Sequence, residues 1–526
     1  MNLADIKMDV SSLPDCRRQR GIKEMRSNSL CGMKREAHGA RKPRHIQKYV
    51  EVASAAQRVG AVREPPSPAK TITPRFRVAA GSADRALLFN RFLWNDYSNR
   101  KMDANAANAP HIVMRCTGEM LADPLLRSIE ILLERHDVLN SSIEAAGGNL
   151  YLVRNTNKTV AFREVTAAGK TAEEIENEAY RIANSFVWEE YDLDNGPLYR
   201  VFLIRLSVVE YILGVALHHA IGDLISIGIL FQELSSIYGS VMSGTPLRVM
   251  PVRLRYMDYL TSMESWSVGA VCEEHIRYWV NKLKSAPVTD LLPNEKRGSN
   301  ETVSGLTAEK KFQLDAETSR DLKKTAAQLK TTLFTVLLSI YKIAIRRMTG
   351  QDEPAIVALH SGRLDAGFQN AIGNFALEVA YKTCLAGNPG FTEVAGRITR
   401  AMNEAESRQP VPLDWVRRAL AKEDIMFCAP GINFISGAAA RNKNPLAPHQ
   451  LYFTPPGAGQ GCHGFQVSCA IEFRDVGDAI KGSLVYMKGL YDESTIHAFM
   501  NSFVKTVSDV ISESEVMTRQ SKIPEM

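Results

Sequence analysis

The sequence predicts an α/β protein built from two lobes of similar size, and three observations carry that prediction. Strand-like apolar runs alternate with helix-period segments in both halves of the chain. A Pro- and Gly-punctuated connection, with a long loop at 286–300, separates the halves. In the first half, an apolar run at Tyr211–Leu217 stops on His218 and His219, and a helix pattern opens just after Asp223.

Composition sets the outer limits. A chain of 526 residues has room for two or three domains, and its 45% apolar and 23% charged content is that of a globular protein. No run reaches the roughly 18 apolar residues of a bilayer span, and charges interrupt the first thirty positions where a signal peptide would need an apolar stretch. The eight cysteines show neither a C-x-x-C pair nor zinc-finger spacing, so reduced thiols in a cytoplasmic protein are expected, with no bound metal.

The net charge of +6 is unevenly placed. Residues 1–80 hold 17 Lys and Arg against 7 Asp and Glu, so the head carries +10 and the rest of the chain −4. That head has only Tyr49 and Phe76 for stacking, which makes nucleic acid an unlikely partner. It reads as a basic, disordered extension over 1–78 that ends in the linker Glu64-Pro-Pro-Ser-Pro.

The elements follow in order. Helical spacing is expected over Ala86–Tyr97, a strand over Pro110–Cys116 and an amphipathic helix over Pro124–His136. Short strands at Ser142–Glu144 and Leu150–Val153 flank a Gly-rich turn, and a helix follows at Ala172–Phe186. Leu198–Leu206 and Tyr211–Leu217 form a strand pair, and a helix spans Ile227–Tyr238. The first lobe is bounded at 79–250 and the connection at 251–310, with a helix at His275–Leu283.

The second lobe spans 311–515. It opens with a strand at Lys311–Leu314 and a helix-rich stretch from Ala316 to Met348, closed by Gly350. Strands at Ile356–Leu359, Ala376–Thr383, Gly431–Ile435, Phe465–Phe473 and Gly482–Tyr486 alternate with helices at Val394–Arg408 and Glu493–Ser512. Residues 516–526 are left as a tail.

The chemistry concentrates at His218-His219-Ala-Ile-Gly-Asp223-Leu224. Asp223 stands where an N-cap belongs, able to accept the free N–H groups of the next helix. The strand end therefore presents an imidazole beside a helix N-terminus. A lone histidine there would ordinarily be a satisfied core residue. The doubled histidine and the aspartate four positions on favour function for His219.

This segment resembles the H-H-x-x-x-D-G motif of the condensation domains of nonribosomal peptide synthetases, in the superfamily of chloramphenicol acetyltransferase and wax-ester synthases. Other matches keep the family's order. Arg135-His136-Asp-Val-Leu139 is similar to "RHExLR", and Tyr191-Asp-Leu-Asp-Asn-Gly196-Pro-Leu-Tyr-Arg200 to "fDLxxGPLxR". Tyr256-Met-Asp258-Tyr259 and Tyr278-Trp279 resemble the bridging segment between lobes. Ser361-Gly-Arg363, Ile372-Gly-Asn-Phe375 and Gln409-Pro-Val-Pro-Leu-Asp414 resemble second-lobe elements. The likeness covers about 80 to 515.

The resemblance implies two chloramphenicol-acetyltransferase-like lobes in a V around a central tunnel. It makes His219 the catalytic histidine and Asp223 a structural partner of Arg363, with His218 in a supporting place. Donor and acceptor would enter from opposite ends, on the phosphopantetheine of carrier proteins or on CoA. One departure stands out: Leu224 replaces the motif's glycine. An isobutyl group there would narrow the acceptor side or rotate out, which favours a small or free acceptor.

In an acyl transfer from thioester to amine or alcohol, neutral imidazole suits proton removal near neutral pH. Base catalysis is typically worth about 10²–10⁴-fold, and positioning of the nucleophile can contribute more. The N–H groups of Leu224 and Ile225, at the helix start, are candidates to meet the oxyanion. No G-x-S-x-G and no activated cysteine points to a covalent nucleophile. Gly459-Gln-Gly461-Cys-His-Gly464 spells a dinucleotide fingerprint, but the run after it reads as a strand, and Cys462, His463 and Cys469 fall one ligand short of a metal site. No adenylation signature or carrier G-G-x-S-L site is seen, so carriers would act in trans. Two other functions stay open: an acyl-CoA-dependent O-acyltransferase, and a catalytically silent protein that docks carriers.

Overall fold

The computed structural model describes residues 85–88, 110–147, 149–285, 289, 291, 307–435, 449–451, 468–488 and 490–520. The basic head, the loop expected at 286–300 apart from Thr289 and Leu291, and Gly459–Gly464 lie outside them.

The first half contributes β1 (Arg85–Leu87), β2 (His111–Thr117), α1 (Ala122–Arg135), β3 (Ser141–Ala146), β4 (Asn149–Arg154), β5 (Phe162–Thr166), α2 (Ala172–Val187), β6 (Tyr199–Arg205), β7 (Glu210–Leu217) and α3 (Leu224–Ser243). The connection contributes α4 (Tyr256–Ser267) and α5 (Ala270–Leu283). From the second half come β8 (Thr307–Leu314), α6 (Ala316–Gln328), α7 (Leu333–Thr349), β9 (Ala355–His360), β10 (Leu377–Lys382), α8 (Phe391–Glu406), α9 (Leu413–Ala421), β11 (Gly431–Ile435), β12 (His449–Leu451), β13 (Cys469–Asp475), β14 (Ile480–Met487) and α10 (Glu493–Gln520).

β7 lies between β2 and β6, both antiparallel to it. One face carries Tyr211, Leu213, Val215 and Leu217 into the core shared with α1 and α3. The other carries Ile212 into a second cluster with Ala179 and Ala183 of α2. A strand covered on both faces must be apolar at every position, which explains the unbroken run rather than an alternation. α3 meets the length and hydropathy of a membrane span, contrary to the expectation that no run does. Its Ile227, Leu230, Leu234, Ile237 and Tyr238 are buried in this same core, so its apolarity is used inside the lobe.

The second half builds a six-stranded sheet in the order β10-β9-β11-β13-β14-β8. α7 is buried nearly all round and ends at Gly350, whose φ of +72° is the left-handed conformation of a helix stop. The lobes exchange one strand: β12, from the second half, pairs with β2 at the edge of the first lobe's five-stranded sheet.

Several expectations need correction. The segment expected as helix at Ala86–Tyr97 begins as a strand, β1, paired with β4 over Tyr151–Val153; the positions from 89 lie outside the described residues. Cross-strand pairing overrides a helical period too short to be decisive. β5 escapes prediction because its edge-strand side chains are largely exposed and show no clean alternation. α4 and α9 begin in stretches read only as motif matches, at Tyr256–Tyr259 and Gln409–Asp414, with no helix assigned to either. α10 runs to Gln520, so the tail expected from 516 starts as helix.

Candidate active site

β7 delivers the histidine pair, and the two rings meet different surroundings. His218 is buried: its N–H donates to Leu198 O at 2.8 Å, and its Nδ1 accepts the N–H of Ala220 at 3.1 Å. That bond requires an unprotonated Nδ1, so the ring is neutral with its hydrogen on Nε2. Burial, with the neighbouring His219 and Arg200, pushes its pKa down to about 3. His219 is half-buried. Its Nδ1 is enclosed with the backbone of His219 and Gly222 nearby, yet it makes no well-formed hydrogen bond. Burial holds this imidazole below its ordinary value, opposed by the surrounding backbone and by Asp223. His219 is therefore the member of the pair that is both neutral at physiological pH and reachable.

Asp223 caps α3, its Oδ1 accepting from Ser226 N at 2.7 Å. The same carboxylate takes both ends of the Arg363 guanidinium, at 2.9 and 3.1 Å, and the N–H of Phe375 at 3.1 Å. Both side chains of this ion pair are buried. Ser226 completes the joint. Its hydroxyl donates to Gly373 O at 2.7 Å and accepts from Gly373 N at 3.0 Å and from Arg363 at 2.9 Å. One carboxylate and one hydroxyl thus fasten the 361–375 segment to the start of α3. Gly362 is required here: its φ is +61°, and a Cβ would sit 1.6 Å from Phe375 O.

α4 supports the joint from the connection. Tyr256 donates to Asn374 O at 3.1 Å and packs edge-on against Phe375 at 5.1 Å. Arg135 and His136 lie outside this cluster. Arg135 grips Glu233 with two bonds of 2.9 Å and His136 meets it at 2.9 Å, tying α1 to α3. His360 bonds Tyr381 Oη, and its pKa is lowered to about 4 by burial. The side chains of Leu224 and Ile225 are exposed on the first turn of α3.

The structure thus brings His218, His219, Asp223 and Arg363 together and places Leu224 and Ile225 beside them. Sequence reasoning assigns no part to Ser226, Tyr256 or the Phe375 N–H. Tyr256 and Phe375 fall within matched motifs, which is a signal; Ser226, three residues after a helix cap, offers none. Cavities of about 370 Å³ beside α9 and about 390 Å³ behind Tyr191 and Arg200 are not lined by His219. Among the described residues no cluster of metal-ligating side chains occurs.

Two α/β lobes joined by a buried Asp–Arg pair, with a strand-end histidine beside it, make a two-lobed chloramphenicol-acetyltransferase-like fold. The chain belongs to the condensation-domain family, whose model matches residues 99–525. It is 25% identical over 419 residues to malpinin synthetase of Mortierella alpina, covering 78% of this chain and 5% of that one. With one of the linear gramicidin synthase chains of Brevibacillus parabrevis it shares 26% identity over 407 residues, covering 76% and 8%. The chain thus spans less than a tenth of those relatives. Among solved structures, the fold matches a condensation domain that mediates chain release from the enacyloxin polyketide synthase, with a TM-score of 0.68, 19% identity and coverage of 88% and 86%. It also matches SgcC5 of Streptomyces globisporus, with a TM-score of 0.58, 16% identity and coverage of 77% and 93%.

Proposed function

We propose that this chain is a condensation-type acyltransferase. It moves an acyl or aminoacyl group from a thioester to an amine or alcohol, in natural-product biosynthesis. The observation that carries the reading is His219: a neutral, reachable imidazole at the end of β7, beside a helix start clamped by Arg363, in a chain of the condensation-domain family. Condensation domains need no cofactor of their own and act on carrier-bound substrates. Here the donor rides on the phosphopantetheine of an acyl or peptidyl carrier protein acting in trans, or on CoA, and the acceptor is a small molecule.

The acceptor nitrogen or oxygen attacks the thioester carbonyl and His219 takes its proton. The tetrahedral intermediate then collapses, the C–S bond breaks, and the imidazolium returns the proton to the leaving thiolate. The N–H groups of Leu224 and Ile225 stand at the helix start, where developing oxyanion charge is favoured. Asp223 and Arg363 do not touch the reacting atoms; they hold the loop that carries His219. The test is intact-mass analysis of an acyl-loaded carrier with candidate amines, comparing wild type and His219→Ala. We expect turnover to fall about 10²–10⁴-fold in the variant. Equal turnover would remove His219 from the mechanism. Turnover only with an acyl-CoA and an alcohol would reassign the donor and product.

A further inference from the structure

Behind the histidine pair lies an arrangement that the reaction itself does not call for. Arg200, on β6, turns its guanidinium into the first lobe and donates to three backbone carbonyls: Phe186 O at 2.7 Å, Glu189 O at 2.6 Å and Glu190 O at 3.1 Å. Those carbonyls belong to the end of α2 and the segment after it, so the guanidinium plane is fixed by main chain rather than by a single mobile partner. The plane lies 3.8 Å over the Tyr191 ring, a close cation–π contact. Tyr191 in turn meets His218 edge-on, with 5.5 Å between ring centroids and 72° between planes. Arg200, Tyr191 and His218 therefore form one continuous stack.

On the outer side of this stack is the cavity of about 390 Å³, lined in part by Tyr191, Arg200 and Glu190. On the inner side, His218 is sealed. The stack is thus the partition between the cavity and a buried imidazole. His218 governs the loop beyond it, since its Nδ1 accepts from Ala220 and its carbonyl accepts from Ile221 N at 3.0 Å. Those two bonds shape the turn on which His219 rides.

We propose that Arg200 and Tyr191 are positioning residues: they hold His218 as the neutral, Nε2-protonated tautomer, and through it fix the 218–223 turn that aims His219. Were water to reach His218 from the cavity, the ring could turn over or take a second proton. Either event removes the acceptor of the Ala220 N–H and, in the second case, puts a cation beside His219. The charged and titratable groups facing His218 are Arg200 and Tyr191 from the stack and His219 from its own turn. The positive charge of Arg200 and the low polarity of the site both oppose protonation of His218. The consequence for turnover rests on the acyl-transfer reading above, whereas the tautomer does not.

Two measurements test the inference. The first is long-range ¹H–¹⁵N spectroscopy of the unmodified protein, with the His218 ring assigned by comparison with His218→Gln. A single Nε2–H tautomer, unchanged between pH 7 and 5, is expected; an Nδ1–H tautomer, or titration in that range, overturns the proposal without any assay of activity. The second uses Arg200→Met, which keeps length but loses the fork, and Tyr191→Leu, which loses the ring. Each is expected to mix the His218 tautomers and to lower kcat by about 10- to 100-fold with KM changed less than twofold, as a misaimed base would. Tyr191→Phe, which retains the ring, is expected to keep the wild-type His218 spectrum. Folded Arg200→Met protein with the wild-type spectrum and kcat refutes the brace. Absent turnover in wild type, with the expected spectra, refutes the acyl-transfer reading instead.

Discussion

Two neighbouring histidines, identical in chemistry, are separated in role by a single step of the chain. At the end of β7, His218 is fully buried while His219 is only half-buried. Burial costs an imidazole its charge, so both pKa values fall, but only His219 combines a neutral ring with access. A lowered pKa keeps the base form populated below the ordinary value of about 6.5. The acid limb of kcat/KM is therefore expected below pH 6.5, with activity retained as pH falls through that value. The profile should be recorded with an acceptor that does not titrate between pH 4 and 8. An acid limb above 6.5 would contradict the enclosure of His219.

At the scale of elements, the two lobes use the same device to pack a strand. Gly214 on β7 stands directly opposite Phe202 on β6, and Gly482 on β14 directly opposite Phe312 on β8. In both, the aromatic ring lies over the glycine: a Cβ would approach it to 2.0 Å at Gly214 and 2.1 Å at Gly482. The ring covers backbone that would otherwise lack a side chain, and glycine gives the ring its space. Gly214→Ala is expected to push Phe202 off its rotamer and cost about 1–3 kcal/mol of stability, measured by urea unfolding. A loss below about 0.5 kcal/mol, in the range of ordinary surface changes, would show that the ring relocates freely.

For the whole molecule, the joint between the halves is a small set of polar groups within an apolar surround. Asp223, Ser226 and Arg363 are backed by Tyr256 and Phe375, and the exchanged strand β12 gives a second link. A buried pair of this kind adds little net stability over an apolar substitute, but removing one partner leaves the other charge stranded. Arg363→Ala is expected to cost about 3–5 kcal/mol and to speed amide exchange at Gly373 and Phe375, read by hydrogen exchange. Wild-type protection at those two amides would mean the lobes are held elsewhere.

Local order is legible where a segment reports its own surroundings. The apolar run of β7, the stop at the histidines, Asp223 as cap and Gly350 as helix stop follow from periodicity and backbone chemistry within about a dozen residues. Arg363 is reached only through resemblance, because its partner is 140 residues away and no spacing encodes that pairing. Ser226 reads as an ordinary first-turn serine until Gly373 is brought beside it. Arg200 and Tyr191 are visible as a motif but not as a stack. The sequence by itself determined an α/β chain with a titratable pair at a strand end beside a capped helix, because short-range sterics and hydrophobic period act along the chain. The tertiary structure alone decided which imidazole is sealed, which carboxylate oxygen meets which guanidinium nitrogen, and that β12 crosses to the other lobe, because burial and hydrogen-bond geometry depend on contacts between residues far apart in sequence.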